Sequence, residues 1–480
     1  MTAMTTLAQV HAMLPGSQLL NISAKEAEKL MLSRVGTDSR QIDPGELFIA
    51  LAGERFDAHD FLADVANSGA GAALVSDAKK CPNHLPAVCV PDTRLGLGAL
   101  AKAWRASHAI PLALVTGSNG KTTVKEMIAS IFKAAAGEAN TLVTKGNLNN
   151  EIGLPLTLLK LRSTDALAVV ELGMNHPGET AQLASIAQAN IALINNAQRE
   201  HQEFMETVAA VAEEHADVIR SLPKNGIAVF PADSEFSGVW NLAAEGRKVI
   251  DFALTSTQQN SGAAVSGHQL SNGCVQINIG AHSIEVQLNT LGAHNIRNAL
   301  AASAVALAAG ISLEKIKQGL EAFAPVNGRM QVKYSDSKHT LIDDSYNANP
   351  DSVRAAIDAL KQSVGSSWLV LGDMGEVGNQ GPEFHREVGA YAAEQGVAKL
   401  FALGDQSMYA VNGFNSARAA AGAGANHFTS IESLLSKLNE DLRSYLSGGN
   451  QHLNILVKGS RFMRMERVVQ ALLEEAKTCS

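Results

Sequence analysis

Apolar positions along this chain fall into short continuous runs separated by stretches with helical spacing. Ile110–Val115, Ala166–Val170, Ile191–Ile194 and Ile227–Phe230 form one set of runs. Thr340–Ile342, Trp368–Leu371, Leu400–Leu403 and Ile455–Val457 form another. Uninterrupted runs of this length fit strands covered on both faces. Between them, Val124, Met127, Ile128, Ile131 and Phe132 recur at the spacing of one helix face. Ser352–Lys361, Glu383–Glu394, Ile431–Leu442 and Met463–Ala476 read as further helices. Strands alternating with helices predict doubly wound parallel sheets.

The rest of the pattern fills in around these two sets. Lys25–Leu32 reads as a helix capped by Ser23, Leu47–Leu51 and Ala72–Val75 as buried strands, and Thr93–Ser107 as a connecting helix. Gly262–Leu291 alternates in short polar and apolar steps and reads as a β-rich insertion, and Asn298–Ala309 as a buried helix. We expect an α/β protein of three domains. These are a small N-terminal α/β domain (1–90), a central doubly wound parallel sheet carrying a phosphate loop (91–325), and a C-terminal Rossmann-like α/β domain (326–480).

The phosphate loop is Thr116-Gly117-Ser118-Asn119-Gly120-Lys121-Thr122-Thr123. It lies between a predicted strand and a predicted helix, the context that gives a glycine-rich turn its chemistry. Small residues let backbone N–H groups close around phosphate oxygens, and the helix start adds unpaired donors. Lys121 supplies a point charge for the outer phosphates, and the Thr122 hydroxyl suits Mg²⁺. The spacing is one residue short of the usual G-x-x-x-x-G-K-[ST], because Val115 stands where that pattern has glycine.

Composition narrows the class. The 480 residues are 46% apolar and 18% charged, as expected of a globular chain with room for several cores. A net charge of −8 speaks against a general nucleic-acid binder. Cys81, Cys89, Cys274 and Cys479 show neither a C-x-x-C pair nor a zinc spacing, which fits free thiols in a reducing compartment. Met1–Pro15 lacks the pattern of a signal peptide, and no segment is apolar enough to span a membrane. A cytoplasmic protein is expected.

Several polar loops carry candidate chemistry. Glu171 ends a predicted strand beside the phosphate loop, where a carboxylate suits a hard cation; a surface salt bridge is the competing reading. His201 follows the end of the next strand and could complete a metal site, although a lone histidine is a weak signal. Lys145–Gly153 is rich in side-chain amides, among them Asn147, Asn149 and Asn150, and suits an amide-bearing or nucleotide substrate; an Asn-rich turn is the plainer reading. Asn295 and Asn298 share one helix face and could read a base or act as caps. Arg329 sits at a domain joint, within reach of a phosphate. Thr37–Arg40 and Gly53–Asp60 offer donors for a phosphate or sugar, or are solvated turns. Asp343–Pro350, Gly372–Glu376 and Lys458–Arg461 each follow a C-terminal strand, where open α/β sheets bind ligands.

Taken together, these strings resemble the Mur ligase family over essentially the whole chain. The carriers are Thr116–Thr123, Thr144–Pro155, Glu171–Gly173, Ala293–Asn298, Gly328-Arg329, Asp343–Pro350, Gly372–Gly378 and Lys458–Arg461. The resemblance implies ATP-dependent joining of D-alanyl-D-alanine to UDP-N-acetylmuramoyl-tripeptide through an acyl phosphate, in peptidoglycan precursor synthesis. It implies ATP held by Gly117, Ser118, Asn119, Gly120, Lys121, Thr122 and Thr123, with Asn295 and Asn298 near adenine, Asp344 facing the ribose and Arg329 near the phosphates. Thr122, Glu171 and His201 would hold Mg²⁺; Lys121, Glu171, His201 and Arg329 would carry the chemistry. Substrate contacts would come from Ser39, Arg40, Asn147, Asn149, Asn150, Tyr346, Asn347, Asn349, Asp373, Ser460 and Arg461. A monomer is expected, with no nucleic-acid partner.

The chain departs from the family pattern in one place. Relatives often carry a carbamate-modified lysine that ligates a second metal. Here the matching stretch is Glu213-Glu214-His215-Ala216-Asp217. Either one of these side chains substitutes or the second site is weaker. The string Asn196-Ala197-Gln198-Arg199-Glu200-His201 also lacks the Pro-Ala-His usual in relatives. Two rivals lack their own signatures: no Asn-Lys-x-Asp marks a switch GTPase, and no Asp-Asn-Pro-Arg marks the ligase that adds a diamino acid. A folylpolyglutamate synthase, a phosphate-loop kinase and a non-catalytic nucleotide-binding scaffold complete the set of competing classes.

Overall fold

The structure is a computed structural model that describes residues 4–53, 55–200, 203–256, 262–418, 424–448 and 451–478. Glu54, Cys479 and the candidate ligand His201 lie outside the described residues. The fold is α/β, built on three larger sheets that follow one another along the chain, as the apolar runs predict.

The central sheet is parallel throughout. Its strands lie in the order Lys248–Val249, Ile227–Val229, Ile191–Ile194, Leu112–Thr116, Leu167–Glu171 and Thr141–Val143. The first strand in sequence, Leu112–Thr116, lies inside the sheet, so the winding reverses beside it. That reversal leaves a crevice at the carboxyl ends of the strands. Register fixes what lines the crevice: Glu171 pairs with Val115, and Ile194 with Thr116. Glu171 and Asn195 therefore flank the start of the phosphate loop.

The helix Lys121–Ala136 follows that loop. It buries Val124, Met127, Ile128, Ile131 and Phe132. These side chains join one apolar cluster with the helix Ala293–Ala308 and the predicted β-rich insertion. The insertion is a four-stranded sheet of Phe252–Leu254, Val265–Gln269, Val275–Ile279 and His282–Val286.

The C-terminal sheet runs Gln331–Ser335, His339–Asp344, Leu453–Lys458, Ser366–Gly372, Lys399–Leu403 and Ala425–Phe428; its first strand is antiparallel and the others parallel. Asp344 and Leu371 both pair with Lys458, so the three polar loops after these strands meet at one end of the sheet. The N-terminal sheet has five strands, Val35–Gly36, Leu47–Ile49, Ala72–Val75, Ala87–Cys89 and Gln18–Leu20.

One predicted helix is shorter than its pattern suggests. Ser23 and Glu26 form a reciprocal capping box, but the helix covers only Ala24–Ala27. Met31 and Leu32 leave it to pair with Thr5 and Thr6 as a small antiparallel ribbon. Tertiary strand pairing overrides the local helical spacing there. The strand predicted from Ile110 begins at Leu112, since Pro111 has no N–H to give a ladder. No helix among the described residues is long and apolar enough to cross a membrane.

The helices Gly381–Glu394 and Ser407–Ala417 pack closely through two glycines. A Cβ on Gly389 would lie 1.9 Å from the Ala410 carbonyl oxygen, and one on Gly413 would lie 2.1 Å from that of Arg386. We expect Gly389→Ala to lower stability by about 1–3 kcal/mol, the usual cost of overpacking a tight contact, read as a lower urea midpoint with unchanged helical content.

Candidate active site

The phosphate loop owes its shape to two glycines and a set of amides. Gly117 and Gly120 have φ of +133° and +78°. A Cβ on Gly120 would sit 2.7 Å from Asn298 Oδ1 and 2.8 Å from Asn195 Nδ2. Asn195 Nδ2 donates to the Asn119 carbonyl at 2.8 Å and to Asn298 Oδ1 at 2.9 Å, and Asn298 Nδ2 donates to Asn295 Oδ1 at 3.1 Å. Asn295 and Asn298 are thus buried and their amides brace the loop. On the other side, the Asn119 N–H donates to Asn196 Oδ1 at 2.8 Å, and the Ser118 hydroxyl accepts from the Gln198 N–H at 2.8 Å. Gly120 caps the following helix with no side-chain hydrogen bond. The first N–H groups of that helix are therefore available to an anion in the cleft.

Lys121 Nζ donates to the Gly117 carbonyl at 2.5 Å, to the Ser118 carbonyl at 3.2 Å and to Glu200 Oε2 at 3.2 Å. Glu200 belongs to a buried chain. His215 Nε2 lies 3.0 Å from Glu200 Oε1, and His215 Nδ1 lies 3.1 Å from the Thr116 hydroxyl. The other members of the lysine-free string face elsewhere. Glu213 and Asp217 pair with Arg220. Glu214 accepts from the N–H groups of Gly178 and Thr180 at the start of a helix. Of Glu213, Glu214, His215 and Asp217, His215 is the one joined to the phosphate loop.

Glu171 is 2% exposed. Its N–H donates to the Thr144 hydroxyl at 3.0 Å, and its Oε1 accepts from Asn149 Nδ2 at 2.9 Å. Behind it, the fully buried Lys125 donates to the Thr144 carbonyl at 2.8 Å. Glu171 Oε2 is buried with no hydrogen-bond partner among the described residues. A buried carboxylate oxygen with no donor is costly unless a cation faces it. The hard oxygen donors of Glu171 and Thr122 fit Mg²⁺.

The C-terminal loops close over this floor. Arg329 Nη2 donates to the Thr122 hydroxyl at 3.0 Å, and its guanidinium stacks 4.3 Å from the Tyr346 ring centroid. Its Nε is buried with no hydrogen-bond partner among the described residues. Asp344 accepts from the Met330 N–H at 3.1 Å and from Lys458 Nζ at 2.6 Å. Asn349 caps the helix Pro350–Lys361 and exchanges amide hydrogen bonds with Asn119, the shorter at 2.8 Å. Together these elements enclose a cleft of about 710 Å³.

Most of the predicted residues line it: Ser118 to Thr123, Asn147, Asn149, Asn150, Glu171, Asn295, Asn298, Arg329, Asp344, Tyr346, Asn347 and Asn349. Six do not. Gly117, near the start of the loop, packs against Asn195 and Asn196. Ser39 and Arg40 sit in the N-terminal unit, where Arg40 pairs with Asp38. Asp373 accepts from the N–H groups of Gln406 and Ser407. Ser460 bridges the loops by accepting from the Gly375 N–H at 2.7 Å and donating to the Ala348 carbonyl at 2.9 Å. Arg461 pairs with Glu466, and its guanidinium lies 5.9 Å from the Tyr346 ring.

Sequence reasoning passed over Asn195, Lys125, Glu200 and Arg199. Arg199 reaches from the loop after Ile194 to Asp351 and Glu387 in the C-terminal helices. Burial alone would lower its pKa, but the hydrogen bonds to these carboxylates outweigh burial and raise it. The same pairing holds the Glu387 carboxyl below its ordinary range. Nothing periodic marks such residues; their partners lie far away in sequence.

Three family descriptions match the chain in order: "Mur ligase family, catalytic domain" over residues 32–105, "Mur ligase middle domain" over 115–306, and "Mur ligase, glutamate ligase domain" over 328–461. The UDP-N-acetylmuramoyl-tripeptide–D-alanyl-D-alanine ligase of Escherichia coli strain K12 is 40% identical over 466 residues, spanning 96% of this chain and 99% of that one. A crystal structure of MurF from Acinetobacter baumannii superposes with a TM-score of 0.86 at 33% identity, covering 98% of this chain and 99% of that one. MurF ligase from Thermotoga maritima, solved in complex with ADP, shares the fold with a TM-score of 0.79 at 24% identity, covering 93% and 98%.

The geometry makes a direct demand on Gly120. Alanine there would strain a left-handed backbone and push into the Asn195–Asn298 bridge. Calorimetric titration should show that Gly120→Ala weakens binding of a nucleoside triphosphate by about tenfold or more, an energy of about 1.4 kcal/mol.

Proposed function

Because the chain belongs to the Mur ligase family, we propose that it catalyses ATP-dependent amide-bond formation between UDP-N-acetylmuramoyl-tripeptide and D-alanyl-D-alanine, a step of peptidoglycan precursor synthesis. The observation that carries this reading is the shared cleft. A phosphate loop, an unpartnered buried carboxylate oxygen on Glu171 and the loops of a second sheet all face one space. That arrangement suits transfer of a phosphoryl group to a substrate that another domain presents.

A free carboxylate is a poor acyl donor, because its leaving group would be oxide. In the first step a carboxylate oxygen of the tripeptide bonds the γ-phosphorus of ATP, and the bond to the β-phosphate oxygen breaks, giving ADP and an acyl phosphate. The amine of D-alanyl-D-alanine then attacks the carbonyl, inorganic phosphate leaves, and the amine loses a proton. Backbone N–H groups of Gly120 to Thr123 hold the phosphates. Lys121 turns from the Gly117 and Ser118 carbonyls to the transferring group, and Glu200 limits its swing. Arg329, with one N–H unpartnered, offsets charge from the opposite wall. Thr122 and Glu171 would hold Mg²⁺, which would supply neutralisation of the phosphate charge. Asn149 fixes the Glu171 carboxylate and Thr144 its backbone N–H, and Asp344 and Lys458 fix the loop that carries Tyr346.

We place the domain boundaries near residues 90 and 325. The N-terminal domain takes the UDP end of the substrate near Ser39 and Arg40. Asn147, Asn150 and Asn347 present amides toward the peptide, whereas Asn349, read from sequence as a substrate contact, spends its amide on the helix cap and on Asn119. Asn295 and Asn298 lie near adenine, and Asn298 also braces the phosphate loop through Asn195. We further propose that the protein works as a monomer in the cytoplasm, where its nucleotide substrates are found.

Phosphate release from ATP should require both UDP-N-acetylmuramoyl-tripeptide and D-alanyl-D-alanine, and a divalent-cation chelator should stop it. Release that ignores the dipeptide would overturn the reading. Lys121→Ala should reduce turnover by about 10²–10³-fold, as expected when a preorganised charge is removed from a dry site, while circular dichroism stays unchanged.

A further inference from the structure

The segment after the strand Ile191–Ile194 has two sides. One side clasps the phosphate loop: Asn196 and Gln198 hydrogen-bond with Ser118 and Asn119, and Glu200 reaches Lys121. The other side consists of Arg199, which crosses to the C-terminal unit. Its backbone N–H donates to Asp351 Oδ2 at 2.9 Å, and its Nε and Nη2 donate to Asp351 Oδ1 at 3.1 and 2.6 Å. Its Nη1 and Nη2 donate to the Glu387 carboxylate at 2.7 and 3.1 Å. Phe384 lies 5.2 Å beneath the guanidinium. Asp351 and Glu387 sit on different helices, Pro350–Lys361 and Gly381–Glu394. Arg354 also donates to Glu387 at 2.9 Å and steadies it.

We propose that Arg199 is a positioning residue that docks the C-terminal helices onto the phosphate-loop clasp and so sets the closed geometry of the cleft. The proposal rests on the ligase reading above. A single exposed ion pair would contribute little. This is a four-contact guanidinium fork with a backbone N–H beside it, the side chain only 21% exposed and a carboxylate on each of two helices. Only arginine offers that planar fork; lysine would keep the charge and lose the bidentate geometry. The attachment points explain why it bears on the reaction. Asp351 is two residues past Asn349, whose amide meets Asn119 in the phosphate loop. Both contacts therefore hold the start of one helix against the loop that holds the nucleotide. That helix follows directly on the loop Asp343–Pro350, which carries Tyr346 under Arg329. A shift of about 1 Å between the two sides would misplace the acceptor relative to the phosphate, and misplacements of that size cost rate steeply.

The test uses the full chain with Arg199→Ala, Arg199→Lys, Asp351→Asn and the Arg199→Ala/Asp351→Asn double variant. A non-hydrolysable ATP analogue should bind Arg199→Ala within about twofold of the parent, since the phosphate-loop donors are untouched. Turnover should fall about tenfold or more, with Arg199→Lys intermediate. Small-angle scattering with analogue and tripeptide substrate should give a larger radius of gyration for Arg199→Ala than for the parent. The double variant should be no worse than the worse single one, because both remove one contact. Turnover of Arg199→Ala within twofold of the parent, or losses that multiply in the double variant, would overturn the proposal. Arg199→Lys and Asp351→Asn decide the matter if Arg199→Ala does not fold. A parent protein that released no phosphate would count against the ligase reading alone, and scattering would still judge the docking role.

Discussion

The loop Thr116–Thr123 can offer open backbone donors only because amide side chains from elsewhere hold its shape. A glycine turn with left-handed positions has many conformations and loses them all on ordering. Asn195 and Asn298 fix one side through the bridge over Gly120, and Asn196 and Gln198 fix the other through Asn119 and Ser118. Each of these amides sits where the sheet or a helix places it: Asn195 and Asn196 just past a strand register set by Thr116, Asn298 on the buried helix Ala293–Ala308. Anion binding at this helix start thus depends on the winding reversal of the central sheet, which puts two later strand ends beside an early one.

The same geometry sets the charges. Lys121 rests on two carbonyls and Glu200, and Glu200 rests on His215, which rests on Thr116. A cation at the mouth of the loop is held ready without being locked to a single strong partner. On the opposite side Glu171 keeps one oxygen occupied and one open. Fixed groups aimed at where charge will lie need no rearrangement at the moment of reaction, which is the main source of electrostatic catalysis. Glu171 Oε2 and Arg329 Nε are buried polar atoms of opposite demand, one an acceptor and one a donor, on residues that line the same cleft.

Much of this was legible from residue order, and the reasons differ by element. Strands such as Leu167–Glu171 and Leu453–Lys458 announce themselves because both faces are covered, so apolar residues dominate until the strand ends. Glu171 was visible as the first charge after such a run. Lys25–Leu32 misled because short helices compete with strand pairing, and the pairing partner at Thr5–Thr6 is remote in pattern. The string Glu213–Asp217 could not be resolved from order alone. Which of four titratable side chains faces the loop depends on how the helix Val208–Arg220 is rotated, and its Arg220 and the neighbouring helix start claim three of them. Arg199 was hidden for a simpler reason: its partner Asp351 lies 152 positions away, and no local spacing encodes a contact between domains.

Why a contact between domains should be ionic follows from what the cleft must do. An apolar interface large enough to hold two domains together would also hold them shut, since burial of apolar area is non-directional and hard to reverse. Substrates must enter and ADP, phosphate and a bulky product must leave. A small set of oriented polar contacts gives closure a defined geometry at modest net stability, because each contact exchanges well with water. The described contacts between the phosphate-loop side and the C-terminal loops fit that demand: Asn119 with Asn349, Thr122 with Arg329, and Arg199 with Asp351 and Glu387. Two of the three involve residues of the phosphate loop itself, while Arg199 docks the C-terminal helices through a segment outside it, so closure can be weakened there without touching the groups that hold the nucleotide.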